Sequence, residues 1–361
     1  MHWNWQLPKW PNFNYNFEEV FNLDKQFLLE AGKALASLKN IDTQEQNRFI
    51  VEILSEEGIE SAKIEGEILD RKSLQSSIQK HFGLKSNKGI KEKEVGMAEL
   101  LCDVYDSFDK PLTHQMLFSW HTMLFKEDET IADCGKYRTH EEPMQIVSTR
   151  YEQRTRVFFE APPSKKVLKE MTQFIKWFNA ANTQGSILGI AAVAHLYFES
   201  IHPFEDGNGR IGRALVEKIL SQSIGRPILI AVSKILEANK KKYYSSLEEC
   251  NKTLDIQEWI HYFANVILQA QKESLSLLFY LIEKSKFLSK FSGQINSRQE
   301  KALLRMFAEI KGFKGGLSAE NYIAITKASR ATATRDLNDL VEKEALKKTG
   351  ELRHTRYYLN L

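Results

Sequence analysis

Residues 187–213, ILGIAAVAHLYFESIHPFEDGNGRIGR, pass from an apolar run to a crowd of polar and glycine residues without a gap. The apolar half reads as a buried helix over 186–200. The polar half, HPFEDGNGRIGR at 202–213, holds one imidazole, two adjacent carboxylates, three glycines around an asparagine, and two arginines. Gly207, Asn208 and Gly209 tolerate positive φ. Such a turn feeding a helix over 208–223 aims successive backbone N–H groups at one point, an anion nest at the positive end of the helix dipole. Arg210 and Arg213, three residues apart on the first turn, can both reach phosphate oxygens beyond the loop. Asp206 stands directly before the nest, where a carboxylate can hold a Mg²⁺ ion that bridges the same phosphates. His202 ends the preceding helix on the other side of the loop, and an imidazole of reference pKa about 6.5 is suited to take a proton from an attacking hydroxyl. The chemistry implied is in-line attack of a hydroxyl on a nucleotide phosphate, catalysed mainly by positioning and charge neutralisation. Taken singly, a Gly-Asn-Gly turn is most often a helix cap and a histidine at a helix end is usually structural; their coincidence carries the reading. The common Gly-rich nucleotide fingerprints and the H-E-x-x-H zinc pattern are absent.

The rest of the chain supplies the setting. With 361 residues, 42% hydrophobic and 27% charged, it is globular and long enough for two or three domains. A net charge of +3 does not by itself argue for nucleic acid or membrane. Cys102, Cys134 and Cys250 lie far apart without CxxC pairing, so neither a disulfide framework nor a zinc site is suggested, and a reducing cytoplasm is the expected location. The N-terminus lacks the pattern of a signal peptide, and no stretch reaches the roughly 18 apolar residues of a membrane span.

Residues 1–95 divide into an aromatic arm, with Trp3, Trp5, Trp10, Phe13, Tyr15 and Phe17 among prolines and asparagines, and a helical region from about Asn22 to Gln79. The charge run at 84–95 breaks the pattern. A core over 96–290 is mainly α, with helices expected over 164–182, 186–200, 208–223, 233–251 and 256–290. Its one strand element is a β-hairpin in MQIVSTRYEQRTRVFFE, with strands MQIVS and RVFFE around a polar turn. Residues 297–361 read helix, helix, helix and two strands, the order of a winged helix-turn-helix. They carry 13 Lys or Arg against 8 Asp or Glu. Arg330, Arg335, Arg353 and Arg356 are placed to meet DNA phosphates, and a dimer contact is the competing use. His114, His121, His195 and His261 fall on helical patterns without ligand spacing and read as structural.

HPFEDGNGRIGR meets every specified position of HPFx[DE]GNGRxxR and so resembles the signature of the Fic family. The likeness extends to the fold, a helical bundle with a β-hairpin flap over about 97–270, and to the flanking regions. It implies a protein adenylyltransferase that moves AMP from ATP to a Ser, Thr or Tyr hydroxyl of a target protein, or of itself, releasing pyrophosphate. By that resemblance His202 is the general base, Asp206 the Mg²⁺ ligand, Gly207, Asn208 and Gly209 the nest, and Arg210 and Arg213 the clamps. Phe204 would anchor the loop, while Glu205 stands at the variable position. Val157, Phe158, Phe159 and Glu160 resemble the flap strand that borders the nucleotide and pairs with an extended target segment. Tyr243 or Tyr244 would stack on the adenosine and Asn251 hydrogen-bond to it, with core packing of the tyrosines as the alternative. SAKIEG at 61–66 resembles the inhibitory motif [ST]xxxE[GN], marking Ser61, Glu65 and Gly66. Glu65 would then pair with Arg213, leaving ATP bound with its α-phosphate turned from attack, and in some relatives the same glutamate helps a water remove AMP. Gly207 and Gly209 argue against phosphate transfer, which goes with Ala-Asn-Lys, whereas UMP transfer stays open because base choice lies outside the motif.

Overall fold

The computed structural model describes residues 2–85, 91–147, 156–181, 185–307 and 315–361, without the side chains of Glu92 and Arg353. The polar turn expected between the hairpin strands lies at 148–155, outside the described residues, as do 86–90 of the charged break and the side chain of Arg353.

The central pair is α7 (Ile187–Ile201) and α8 (Asn208–Ile224). Almost every α7 side chain is buried, from Leu188 to Ile201, as an all-round apolar sequence requires. The Ser186 side chain caps its N-terminus by accepting the Gly189 N–H at 2.9 Å. Around this pair stand α1 (Phe21–Lys39), α2 (Thr43–Ile64), α3 (Arg71–His81), α4 (Glu92–Asp106), α5 (His114–Phe125) and α6 (Ser164–Ala181). In α6, Val167, Met171, Phe174 and Phe178 are buried at three- and four-residue spacing, one apolar stripe facing the core. The helix expected over 233–251 is two helices, α9 (Val232–Ala238) and α10 (Lys240–Cys250). Asn239 divides them: its side chain reaches back to the Ile235 carbonyl at 3.4 Å, an alternative to continuing the helical ladder. The long α11 (Gln257–Lys290) follows.

Strands β1 (Gln145–Val147) and β2 (Val157–Glu160) pair antiparallel with Gln145 opposite Glu160 and Ile146 opposite Phe159, and the register shifts after Ile146. The arm laces over the same body with one turn of tight helix at Asn4–Gln6. The Asn4 side chain is buried and donates to Ser200 Oγ at 2.9 Å and the Cys250 carbonyl at 3.2 Å. Trp5 Nε1 donates to the Glu160 carbonyl at 2.7 Å, at the end of β2.

The chain forms two compact units, Met1–Lys39 with Gln46–Leu275, and Asn40–Glu45 with Ser276–Leu361. The division falls inside α11 rather than at 290–297. Nor do residues 1–95 stand apart, since Val20, Phe27, Val51 and Leu54 share one apolar core with Leu101, Leu215 and Phe263. The second unit holds α12 (Ser297–Met306), α13 (Ala319–Thr326), α14 (Arg330–Glu342), β3 (Leu346–Thr349) and β4 (Arg356–Leu359), in the expected order. Leu303, Tyr322, Leu337, Leu340 and Tyr357 make its core. The Asp336 carboxylate braces it by accepting from Arg298 Nε and the Tyr322 hydroxyl, each at 2.9 Å. Among the described residues no helix is long and apolar enough to cross a membrane.

Replacing Asn4 with Ala leaves Ser200 and the Cys250 carbonyl buried without their donor. The expected cost is about 1–3 kcal/mol, read as a fall in Tm of several degrees by calorimetry.

Candidate active site

His202 ends α7 in the left-handed conformation, φ 49°, and its N–H closes the last turn on the Phe198 carbonyl. Pro203 then prevents the helix from continuing. Phe204 is fully buried and stacks on His121 at 4.3 Å between ring centres. Asn208 locks the turn: its Oδ1 accepts the Phe204 N–H and its Nδ2 donates to the Phe204 carbonyl, both at 2.9 Å. The asparagine side chain therefore holds the loop, and only its backbone amide is left for the nest. Gly207 has φ 78°, and a Cβ there would lie 2.6 Å from the Phe125 ring, so the position admits glycine alone. From this turn α8 begins, and its first amides point outward with no acceptor in their own helix.

Arg210 stacks over Phe125 at 4.7 Å and is 4% exposed. Its Nη1 meets both oxygens of Glu67 at 3.1 Å, and its Nη2 lies 3.6 Å from Asp206. Nε and Nη2 of this buried guanidinium have no hydrogen-bond partner among the described residues. Arg213, 1% exposed, meets Glu65 at 2.8 Å through Nη2, and gives Nε to Ser61 Oγ and Nη2 to the Ser61 carbonyl at 2.9 Å each. Burial opposes its charge, but the adjacent Glu65 carboxylate overrides this and raises its pKa. Ser61 lies in the last turn of α2, Glu65 follows it, and Gly66 with φ 85° turns the chain so that Glu67 faces Arg210. Close approach is also demanded of Gly209, where a Cβ would stand 2.2 Å from Glu65 Oε1.

The imidazole of His202 is mostly buried, with Nδ1 3.8 Å from Glu199 Oε2. Burial, reinforced by the positive charge of Arg138, pulls its pKa down to about 4, against the Glu199 backbone and the charges of Glu65 and Asp206. A neutral imidazole is the form that accepts a proton. Glu199, buried beside it, is pushed up to about 8 by burial and by Glu65.

The flap arrangement differs from the expectation for Val157–Glu160. Strand β2 is the inner one: the Phe158 carbonyl accepts from Asn251 Nδ2 at 3.0 Å and the Glu160 carbonyl from Trp5. Phe159 is buried against Trp3 at 5.6 Å, edge to face, and the Glu160 side chain takes a bond from Gln145 at 2.7 Å. The exposed strand is β1, all three residues of which face solvent. Asn251 is thus engaged with the flap instead of standing free for an adenosine. Tyr243 is buried and its hydroxyl meets His195 Nε2 at 2.8 Å, the core role. Tyr244 is 42% exposed and reaches the Ile64 carbonyl at 3.3 Å.

Four residues without a sequence signal join the site. Glu67 holds Arg210, Glu199 faces His202, and His121 supports Phe204. The fourth, Arg138, is a buried arginine whose Nε donates to the His202 carbonyl at 2.8 Å. Glu199 is three residues before His202, one helical turn away, whereas Glu67, His121 and Arg138 stand at no periodic or motif spacing from 202–213, so only the fold brings them there.

A helical body built on a buried helix pair, with a glycine-rich turn between them and a short β-flap beside it, has the features of a Fic fold. Residues 111–220 match the model described as the Fic/DOC family. Residues 3–84 match a domain of unknown function, DUF4172, which takes in the arm, Glu65 and Glu67. The chain is 31% identical over 99 residues to the protein adenylyltransferase fic-1 of Caenorhabditis briggsae, 27% of this chain and 18% of that one. It is 31% identical over 94 residues to a probable protein adenylyltransferase of Aquifex aeolicus, 26% of this chain and 27% of that one. The chain thus spans only about a fifth to a quarter of these relatives. A crystal structure of a Fic family protein from Desulfovibrio desulfuricans G20 shares the fold over 97% of this chain and 98% of that one, with 21% identity and a TM-score of 0.57. Fic-1 of C. elegans, residues 134–508, shares it over 74% and 75%, with 20% identity and a TM-score of 0.52.

The depressed pKa of His202 means that its ring stays neutral until pH falls to about 4. A histidine-labelled NMR titration of the full chain is expected to find this ring unprotonated at pH 5.5, where a free imidazole is mostly charged.

Proposed function

We propose that this site transfers AMP from ATP to a Ser, Thr or Tyr hydroxyl of a target protein, itself included. The observation that carries the reading is the pair of unpartnered buried donors on Arg210, set beside the open amides of α8 and opposite the neutral His202. Buried donors without acceptors are costly, and phosphate oxygens are the anions that match a guanidinium and a helix N-terminus together. In the reaction the target hydroxyl oxygen bonds to the α-phosphorus while the bond from that phosphorus to the β-bridging oxygen breaks. Pyrophosphate leaves and the hydroxyl proton passes to the imidazole of His202. An extended target segment would add to the exposed backbone edge of β1, the strand with no neighbour on its outer side among the described residues.

The residues also fit Mg²⁺. The Asp206 side chain is 54% exposed; one oxygen takes the Gly207 N–H and the other is 3.6 Å from Arg210, leaving lone pairs open to solvent. An ion there would be held by this one carboxylate and by the phosphates themselves. When bound, Mg²⁺ neutralises phosphate charge.

In the arrangement described here both clamps are occupied. Glu65 takes Arg213 and Glu67 takes Arg210, so two carboxylates on either side of Gly66 stand where phosphate oxygens would bind. This is an autoinhibited state. Breaking a buried ion pair costs on the order of 3–5 kcal/mol, so nucleotide must displace Glu65 to reach its productive pose. Glu65→Gly is expected to raise AMP incorporation from labelled ATP by about 10²–10³-fold, and His202→Ala to abolish it in either background. Equal low transfer with and without Glu65 would remove the inhibitory role. Glu67→Gln added to Glu65→Gly is expected to lower the KM for ATP by roughly tenfold, a charge-assisted bidentate contact being lost. Intact mass of self-modified protein separates AMP from UMP. A second role for Glu65, directing a water that removes AMP from a modified target, would be supported by AMP release that is lost in Glu65→Gly.

The second unit favours a nucleic-acid reading as well. Arg330 at the start of α14 has an 84% exposed side chain, and Arg335, Lys347 and Lys348 are exposed on α14 and β3. We infer a DNA-binding winged helix that couples the transferase to a regulatory site. Full-length protein should bind duplex DNA in fluorescence anisotropy, with affinity falling steeply with salt and lost in Arg330→Glu/Arg335→Glu. Absence of binding at low salt would leave a dimer or protein contact as the role of this unit.

A further inference from the structure

Arg138 is 2% exposed, and no carboxylate pairs with it among the described residues. Its partners are nearly all carbonyls. Nε donates to the His202 carbonyl at 2.8 Å, and Nη2 to the carbonyls of Pro162 and, at 3.4 Å, Ile201. Nη1 donates to Ser164 Oγ at 3.0 Å, and the backbone N–H to the Pro203 carbonyl at 3.0 Å. Two of these acceptors close α7 and carry the reacting imidazole; Pro162 lies two residues beyond the last residue of β2. The anchor is itself held firmly: the neighbouring Thr139 gives its N–H and hydroxyl to Asp133 at 2.6 and 2.8 Å, and Ser164 passes its hydroxyl to the His140 carbonyl at 2.6 Å.

A helix can end on water or on a glycine, neither of which requires a buried cation. Here the residue at the helix end is a histidine at φ 49°, a conformation that a side chain adopts only when its surroundings impose it. The planar guanidinium fork is a rigid group able to meet carbonyls of two separate segments at once. We propose that Arg138 is a positioning residue: its single guanidinium ties the backbone of His202 to the root of the flap at Pro162, so that the base and the two-stranded flap stay in register. The proposal rests on the AMP-transfer reading. The same positive charge also helps to keep the imidazole neutral; the other charged or titratable groups facing it are Glu199, Glu65 and Asp206.

The test uses the full chain carrying Glu65→Gly, with Arg138→Lys and Arg138→Gln added separately. A displacement of about 1 Å at a reacting group is enough for a hundredfold loss. Arg138→Gln is therefore expected to lower kcat by about 10²-fold while the KM for ATP stays within about threefold, because the guanidinium touches neither the nest at 207–209 nor either clamp. Arg138→Lys, which keeps the charge and one donor, is expected to recover about tenfold of that loss. The acid limb of the pH profile should move to higher pH in the Gln variant and stay in place in the Lys variant, since losing a nearby positive charge lets the imidazole protonate more readily. Hydrogen exchange supplies a readout independent of turnover: in Arg138→Gln the amides of 157–160 and of 201–202 should exchange faster together. A kcat within about threefold of the parent, or an unmoved acid limb with kcat and KM collapsing alike in both variants, would overturn the proposal. So would exchange that changes in one segment alone. If the Glu65→Gly parent transfers no AMP, the functional reading falls instead, and the exchange result still decides whether Arg138 couples the two segments.

Discussion

A guanidinium at 1% exposure must be compensated, by an anion or by several acceptors, because an uncompensated buried charge costs several kcal/mol. Arg213 is that group, and Glu65 meets the need here. The pairing fixes the end of α2 over the catalytic loop, with Ser61 supplying two further acceptors and Gly66 turning the chain so that Glu67 covers Arg210. If the two buried arginines bind phosphate as proposed, whatever neutralises them in the absence of nucleotide is by the same physics its competitor. On the proposed reading, inhibition and binding share one electrostatic requirement, which the chain satisfies here from within through Glu65.

The loop between α7 and α8 is held by a different kind of force. Asn208 spends its side chain on both backbone groups of Phe204, and Phe204 is stacked on His121 and sealed in the core. Arg138 closes the end of α7 from the other side. These bonds hold the turn from within the chain; if the site acts as proposed, its nest and base are organised in advance, which is the condition under which fixed dipoles stabilise a transferring phosphoryl group most effectively. The same burial that rigidifies the loop keeps His202 neutral. Packing and proton affinity are thus set by one arrangement.

Legibility in the sequence followed locality. The 202–213 motif could be read because its parts are contiguous and their roles follow from a helix end, a glycine turn and a helix start. The buried α7, the amphipathic α6 and the order of elements in 297–361 were legible in the same way, from periodicity. The break at Asn239 was not, because a side chain competing with the backbone leaves no periodic trace. The inner position of β2 was also hidden: which edge of a two-stranded ribbon is free depends on Trp5 and Asn251, residues 155 and 93 positions from their acceptors.

What the sequence by itself determined is the local group: an imidazole, a carboxylate, a glycine-rich turn and two arginines on one turn, together with the proposal that Glu65 is their antagonist. Only the tertiary structure decided how that chemistry is held and masked. It brought Glu67 to Arg210, placed Arg138 under the carbonyl of His202, and turned Asn251 toward the flap. It also merged residues 1–95 into the catalytic body and moved the division of the chain into α11. The reason is physical. Hydrogen bonds and apolar periodicity act within a few residues and so are written locally, whereas the partner of a buried charge is chosen by proximity in the folded core, to which distance along the chain is no guide.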